Sequence, residues 1–161
     1  MARVASRVHA EAMTSGPLAP AGSSRDELGT TLFILCAVLA AFMLFLGVRG
    51  YLGPESAARG FGIPLADLAD AAFVRIKAGR DFSIGVILVA LLVMRQRAAL
   101  TAMIAASMIM PLNDCALVIA SAPGRVGYAL AVHGSAVVYG AVVAWLLWRR
   151  GRLLRERALR P

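Results

Sequence analysis

Long uncharged apolar runs constrain this chain more than any other feature of its sequence. Residues 28–48 form a run of 21 residues without a charge, and at a rise of about 1.5 Å per residue a helix of this length covers about 30 Å, one hydrocarbon thickness. Residues 126–148 contain one ionisable group, His133, and residues 98–123 are interrupted only by Asp114. With 60% hydrophobic and 16% charged residues, the pattern predicts an all-α fold, a polytopic membrane protein with a bundle of four transmembrane helices.

The remaining apolar run is too short to cross a membrane by itself. Residues 82–94 are uncharged, and they would form only about 20 Å of helix. A spanning helix must therefore extend back through residues 71–81, which brings Arg80 and Asp81 into the membrane. The alternative is a short helix in a thinned bilayer, with both charges at the interface.

We therefore predict a transmembrane domain over residues 28–149, with a loop at residues 50–70 because glycine and proline recur there. Within this loop, residues 64–70 are expected to form a short amphipathic helix. The four helices are predicted at about residues 28–49, 71–95, 98–122 and 126–148.

The distribution of basic residues predicts the orientation of the chain. Residues 1–27 have the composition of a disordered tail, and residues 150–161 form a basic tail. With four spans, eleven of the 17 basic residues lie on the side of the two termini, so we place both termini in the cytoplasm and the protein in the cell membrane as a multi-pass chain. Because the cations flank apolar runs, we expect membrane lipids and not nucleic acid as partners. The strong preference for arginine over lysine is typical of a GC-rich bacterial genome.

Three predicted helices carry an ionisable group at one height. Counted from the cytoplasmic ends of their helices, Asp81, Asp114 and His133 lie 15 or 16 residues up, which corresponds to about 22–24 Å. Arg49 lies slightly higher, at about 27 Å. A charged side chain near the middle of a spanning helix costs about 2.5–3.5 kcal/mol, so we expect these groups to face inward and to pair.

The pairing and the candidate roles follow from helical spacing. Lys77 and Asp81 stand at i and i+4 and can form an ion pair, which leaves Arg80 to reach Asp114 or a ligand. In a catalytic site, Asp81 or Asp114 would act as base or acid, and Arg80 would orient the partner carboxylate or stabilise negative charge. With His133 these residues are the predicted catalytic set. A purely structural cluster that holds the helices in register is the alternative.

Pro111 predicts a bend beside this layer. A proline inside a helix leaves the carbonyl four residues earlier, that of Ser107, without its partner and kinks the helix. The bend would open a small polar pocket next to Asn113. We predict Arg49, Asn113 and Lys77 as ligand contacts there.

Several short motifs carry a resemblance to a known group of proteins. Phe61-Gly62-Ile63-Pro64, Arg80-Asp81 followed by Gly85, Pro111 followed by Asp114, and then His133 resemble a family of small four-helix integral membrane proteins. That family is defined by a domain of unknown function and looks like a relative of the DoxX-like group. The resemblance covers roughly residues 35–148 and implies the fold and topology more than any chemistry. Ala78 stands where the family has a glycine.

The sequence leaves several functions open. The first is a buried Arg/Asp/Asp/His layer that binds a small amphipathic or lipid-like molecule, with or without acid–base isomerase, cyclase or hydrolase chemistry. The others are a non-catalytic membrane subunit or scaffold, a DoxX-like subunit associated with quinone or redox proteins, and a proton-coupled carrier. We expect a small hydrophobic ligand and a homo-oligomer as partners. No cofactor and no metal is predicted, since one transmembrane histidine cannot supply two axial haem ligands and no zinc spacing is present.

Overall fold

The computed structural model of the chain describes residues 28–160, and the predicted tail of residues 1–27 lies outside them. All regular elements in this part of the chain are helical. We number the α-helices α1 (Thr30–Leu52), α2 (Pro54–Phe61), α3 (Ala71–Val93), α4 (Arg97–Ser107), α5 (Ile109–Ser121), α6 (Val126–Ala129) and α7 (Ser135–Ala158).

The connection between α1 and α3 differs from the predicted loop. Pro54 begins α2, and Glu55 lies in its first turn. Proline suits this position because its missing N–H would be unpaired there in any case, and an acidic residue stabilises the positive end of the helix dipole. The helix ends at Phe61 and is capped by Gly62, whose φ of 106° is left-handed and favours glycine. The helix predicted at residues 64–70 is wrong, since only a 3₁₀ turn at Leu68–Asp70 forms there.

The helix that contains Pro111 is interrupted where the sequence analysis expects a disturbance. α4 ends at Ser107 and α5 begins at Ile109, with Met108 between them. Pro111 has no N–H to donate to the Ser107 carbonyl, so the hydrogen-bond ladder is broken at this level. Near the break, the Ser107 hydroxyl donates to the Met103 carbonyl, one turn earlier, at 2.7 Å.

The last helical segment is the longest. A π-helical turn at Leu130–Gly134 joins α6 to α7, and α7 continues to Ala158, ten residues beyond the end that the apolar pattern predicted. A π turn accommodates one additional residue and shifts the face that the following side chains present. His133 lies within this turn.

Three helical segments of the described residues are long and apolar enough to cross a membrane: Thr30–Leu52, Arg97–Ser121 and Pro123–Ala158, with 23, 25 and 36 residues. α3 has 23 residues, but every stretch of 18 residues within it contains the three charged residues Lys77, Arg80 and Asp81. A fourth membrane crossing therefore stays a prediction.

The four long helical segments of residues 28–160 pack as two pairs. α1 lies most closely against α3, and α4 lies against α7. The buried side chains of all four meet toward the end of the bundle that carries the turn between α3 and α4. This core contains Leu28, Cys36, Ala40, Ile84, Leu88, Leu92, Leu100, Ile104, Val143 and Leu147.

Small residues allow the close approach of α1 and α3. A Cβ atom at Gly47 would lie 2.5 Å from the Cβ of Phe82 and 2.8 Å from its backbone, and one at Gly50 would lie 2.8 Å from the Cβ of Ala78. Such contacts are closer than van der Waals packing permits. The two glycines, three residues apart on one face of α1, therefore set the distance between the helices, as small residues do in membrane helix pairs.

The outside of the helices is unusually apolar. Large hydrophobic side chains are exposed along α1, α3, α5 and α7, including Phe33, Phe45, Phe73, Val93 and Leu117. A soluble monomer rarely exposes contiguous apolar surface of this kind. The surface is suited to lipid.

Gly47→Ala is expected to destabilise the protein because the new methyl group overlaps the Phe82 backbone, and overpacking of this kind costs about 1–3 kcal/mol. The midpoint of thermal unfolding in detergent should fall. Gly79→Ala is the matched control, because nothing lies within 4 Å of a Cβ atom at that position. Equal midpoints for the two variants would contradict the close packing of α1 on α3.

Candidate functional site

A three-residue ion cluster joins α3 to α5. The Lys77 ammonium lies 2.6 Å from Asp81 Oδ2 and 3.7 Å from Asp114 Oδ2. Lys77 and Asp81 are one helical turn apart, as the sequence analysis expects from their spacing. Lys77 thus stands between two carboxylates that belong to different helices.

Burial makes this cluster energetically important. The Asp81 side chain is 5% exposed, that of Asp114 is 14% exposed and that of Lys77 is 30% exposed. A buried carboxylate is costly unless a cation compensates it. Lys77 supplies that compensation to both acids, so the two helices are linked by one ammonium group.

The structure does not form the expected contact between Arg80 and Asp114. Lys77 lies beside Asp114, whereas the Arg80 Nε lies 3.7 Å from Asp81 Oδ1 and the arginine side chain is half exposed. The physical reason is the rotation of about 100° per residue along a helix. This rotation turns Arg80 away from the face that Lys77 and Asp81 share.

His133 enters the site from the π turn. Its Nε2–H donates to the Phe61 carbonyl at 2.9 Å, and its ring meets the Phe61 ring edge to face at a centroid distance of 4.7 Å. The Lys77 ammonium lies 5.4 Å from the centroid of the same Phe61 ring, within the range of a cation–π contact. Phe61 therefore connects His133 to the ion cluster.

The sequence analysis did not assign a role to Phe61. The signal that was present is an aromatic residue directly before Gly62, the residue that ends α2 with a positive φ. Such a helix end holds the preceding side chain in a defined direction, but nothing in the sequence says which helix it meets.

Residues 54–62, which we call the outer cover, lie across one end of the bundle. The Tyr128 hydroxyl donates to the Gly60 carbonyl at 2.6 Å, and Arg125 donates to the Gly62 carbonyl at 3.5 Å. At the other end of α2, Arg49 donates to the Ser56 carbonyl at 3.1 Å. Arg49, predicted as a ligand contact, thus helps to fasten the cover to α1.

An elongated inner cavity of about 410 Å³ lies between the two helix pairs. Its charged lining residues, among those the structure describes, are Lys77, Asp81 and Asp114, and most of the remaining wall is apolar. On α3 the wall extends from Lys77 to Leu88, which is about 16 Å along the helix axis. The charged cluster is at one end, and apolar residues such as Ile104 occupy the other.

A second, outer cavity of about 330 Å³ lies beneath the outer cover. Arg49, Phe61 and His133 line it, and it shares Lys77 and Asp81 with the inner cavity. The Lys77–Asp81 pair therefore separates the two spaces.

The predicted site residues divide into two groups. Asp81, Asp114, Lys77, His133 and Arg49 line one or both cavities. Arg80 and Asn113 are exposed and line neither of these two cavities. The first group is the candidate site.

The site offers simple polar chemistry. The Lys77 ammonium has three donors, and the Asp81 and Asp114 carboxylates are acceptors, so a ligand oxygen next to the cluster can both accept and donate a hydrogen bond. Within residues 28–160 no three His, Cys, Asp or Glu side chains are grouped as metal ligands are.

Replacing Lys77 alone should lower the thermal stability more than replacing both Lys77 and Asp81. Lys77→Met removes the cation nearest to buried Asp81 and leaves only the half-exposed Arg80 at 3.7 Å, and breaking a buried pair costs up to about 3–5 kcal/mol. The double variant Lys77→Met/Asp81→Leu removes both charges and should recover part of the lost thermal stability in detergent.

Arg59→Met is the control, since Arg59 pairs with Glu55 in an exposed pair and exposed pairs contribute little. A Lys77→Met variant that unfolds at the same temperature as Arg59→Met would contradict the role of Lys77 in the cluster.

Three comparisons with known proteins complete the description of the site. Neither the comparison with curated proteins nor the comparison with solved structures found a match. The family model described as Domain of unknown function (DUF4267) matches residues 40–147, a range that includes every residue of the candidate site. The expected relation to the DoxX-like group stays a prediction, whereas the resemblance to a family defined by a domain of unknown function is confirmed: the chain belongs to the DUF4267 family.

Proposed function

We propose that the chain is a multi-pass membrane protein whose inner cavity binds an apolar molecule with one uncharged polar end. Four segments cross the bilayer in this proposal: α1, α3, α4 with α5, and α6 with α7. The single observation that carries it is the inner cavity, whose wall is apolar over most of its length and charged at one end.

The charges of α3 are compatible with a fourth crossing. Asp81 and Lys77 face the interior of the bundle and neutralise each other, and paired inward charges are the form in which membrane helices carry ionisable residues. The half of α3 that follows Asp81 has no charge. A helix of 23 residues has a length of about 35 Å, enough to span.

The end of α7 supports the cytoplasmic placement of the C-terminus. The guanidinium of Arg149 lies 5.4 Å from the Trp145 ring centroid, and that of Arg152 lies 5.2 Å from the Trp148 ring centroid. Tryptophan favours the membrane interface and arginine favours the cytoplasmic side of it. Both features meet at one end of this helix.

The balance of charge indicates the kind of polar end the ligand has. Arg80 lines neither cavity, but its Nε lies 3.7 Å from Asp81 Oδ1, so the ion cluster and its edge together contain two basic side chains, Lys77 and Arg80, and two acidic ones, Asp81 and Asp114. A charged ligand would leave one charge unbalanced in a poorly solvated site, which is costly. A hydroxyl group, in contrast, can accept a hydrogen bond from Lys77 and donate one to Asp114. Fatty alcohols and prenols are molecules of this class.

A direct test uses three photoreactive probes of equal chain length: hexadecanol, hexadecanoic acid and hexadecylammonium, each with a diazirine on its chain. The full chain is reconstituted in phosphatidylcholine vesicles and irradiated, and labelled peptides are identified by mass spectrometry. We expect hexadecanol to label peptides of the inner cavity several-fold more than the two charged probes do, and unlabelled hexadecanol should compete. Equal labelling by all three probes, or no competition, would contradict the proposal.

The variant Asp114→Asn tests, with the same three probes, whether the charge of the site sets the ligand preference. The substitution removes one negative charge and keeps the shape of the side chain, so the site gains a net positive charge. We expect the preference of the inner cavity to move from hexadecanol toward hexadecanoic acid. Glu156→Gln is the control, because Glu156 is exposed near the end of α7 and pairs with Arg152, far along the chain from the cavity.

A structural role for the cluster is the second candidate, and one observation favours it. Lys77 already lies close to both carboxylates, so the cluster is complete without a ligand. In that case Asp114→Asn would lower thermal stability in detergent and leave the probe preference unchanged. A change of preference in a variant of unchanged stability rules this candidate out.

A catalytic role for Asp114 would extend the proposed binding of a ligand. Asp114 would act as acid or base, since it lines the inner cavity and is less buried than Asp81. Isomerisation, cyclisation and opening of an epoxide all need such a group. Apolar extracts of cells that produce the wild type or Asp114→Asn would be compared by mass spectrometry, and identical profiles would remove the catalytic role without affecting binding.

A further inference from the structure

The exposed part of the inner cavity wall is confined to one side of the bundle. Resting on the proposed function, we infer that the ligand reaches the inner cavity sideways from the bilayer, through an opening between α1 and the start of α7, and not past the outer cover. The opening, which we call the lateral opening, is bordered by Val38 and Phe42 on α1, by Val132 in the π turn and by Ser135 on α7.

The exposure of the wall residues locates this opening. Phe42 is 47% exposed and Val132 is 39% exposed, although both line the cavity. The wall residues Ile84 and Leu88 on α3, in contrast, are buried, and so is Ile104 on α4. The cavity is therefore closed by packed side chains on the sides of α3 and α4 and is open between α1 and α7.

Two hydrogen bonds limit the opening along the helix axis. The Tyr139 hydroxyl donates to the Leu35 carbonyl at 2.9 Å and joins α7 to α1 below it. The bond from His133 to the Phe61 carbonyl joins the π turn to the outer cover above it. Between Val132 and Tyr139 the helix rises about 10 Å, wide enough for a hydrocarbon chain to pass.

The two ends of the bundle are closed. Toward the outer side, hydrogen bonds from Tyr128, Arg125 and Arg49 fasten the outer cover across the helices. Toward the other end, tightly buried leucine side chains fill the space below the cavity, among them Leu28, Leu92, Leu100 and Leu147. A molecule already dissolved in the lipid meets neither barrier at the lateral opening.

The route also determines the orientation of the ligand. Its polar end would lie at Lys77 and Asp114, near the outer cover, and its apolar end would lie against Leu88 and Ile104. The border of the opening itself carries no charged side chain among its four residues, so an apolar chain can slide between α1 and α7 without passing a charge.

Ser135→Phe tests the route because Ser135 is exposed at the border of the opening, where a phenyl ring can cover the gap. Val138→Phe is the matched control, since Val138 is exposed on the same helix and lines neither cavity. The hexadecanol probe is added to vesicles of phosphatidylcholine that contain the full chain, and samples are irradiated at successive times. We expect Ser135→Phe to slow the labelling of peptides from the inner cavity several-fold, whereas Val138→Phe should leave the rate unchanged.

The outcomes separate this inference from the proposed function. If the wild type shows no competed labelling of the inner cavity, the proposed function fails. If the wild type is labelled, but Ser135→Phe is labelled at the same rate and Tyr128→Phe is labelled faster, the ligand binds by way of the outer cover and the lateral route is wrong. Disulfide-linked dimers of a Phe42→Cys variant lacking Cys36 and Cys115 would also overturn the route, because a second copy would then cover the opening.

Discussion

The ammonium of Lys77, held between two carboxylates from different helices, is the interaction on which the rest of the site depends. In a poorly solvated interior, two acids on neighbouring helices repel each other and each needs compensation. One cation that serves both bridges α3 and α5 at this height through side chains. The cluster also divides the interior, because Lys77 and Asp81 line both the inner and the outer cavity. The same residues therefore compensate the buried charge and separate the two cavities.

A cavity exists because the helices within each pair pack more closely than the two pairs pack against each other. The glycines of α1 allow that helix to approach α3 until backbone meets backbone, and α4 packs against α7. Between these pairs the helices are held at a few points, such as the hydrogen bond from Tyr139 to Leu35. Interruptions in two helices, at Met108 and in the π turn that carries His133, turn polar groups toward the remaining space. The result is an apolar cavity with a polar end.

Much of the candidate site was predictable because its signals are local. A charge inside an apolar run is expected to face inward, as Asp81 and Asp114 do and Arg80 does not, and the spacing of Lys77 and Asp81 brings them onto one face of a helix. Contacts between helices were not predictable in the same way. The partner of Asp114 proved to be Lys77 and not Arg80, because the rotation of α3 against α5 decides which cation reaches the carboxylate. The helix at Pro54 was missed since a proline is compatible with both a loop and the first turn of a helix.

The sequence by itself determined the all-helical fold class, the long apolar segments and the position of the ionisable groups along them, since periodicity and length along one helix depend only on the order of residues. Only the tertiary structure decided that Phe61 lies between His133 and Lys77, that Arg80 and Asn113 point away from both cavities, and that the inner cavity opens between α1 and α7. These features depend on how far each helix is rotated and how closely it packs against its neighbours. That rotation is the joint result of contacts between residues far apart in the chain, which no local pattern specifies.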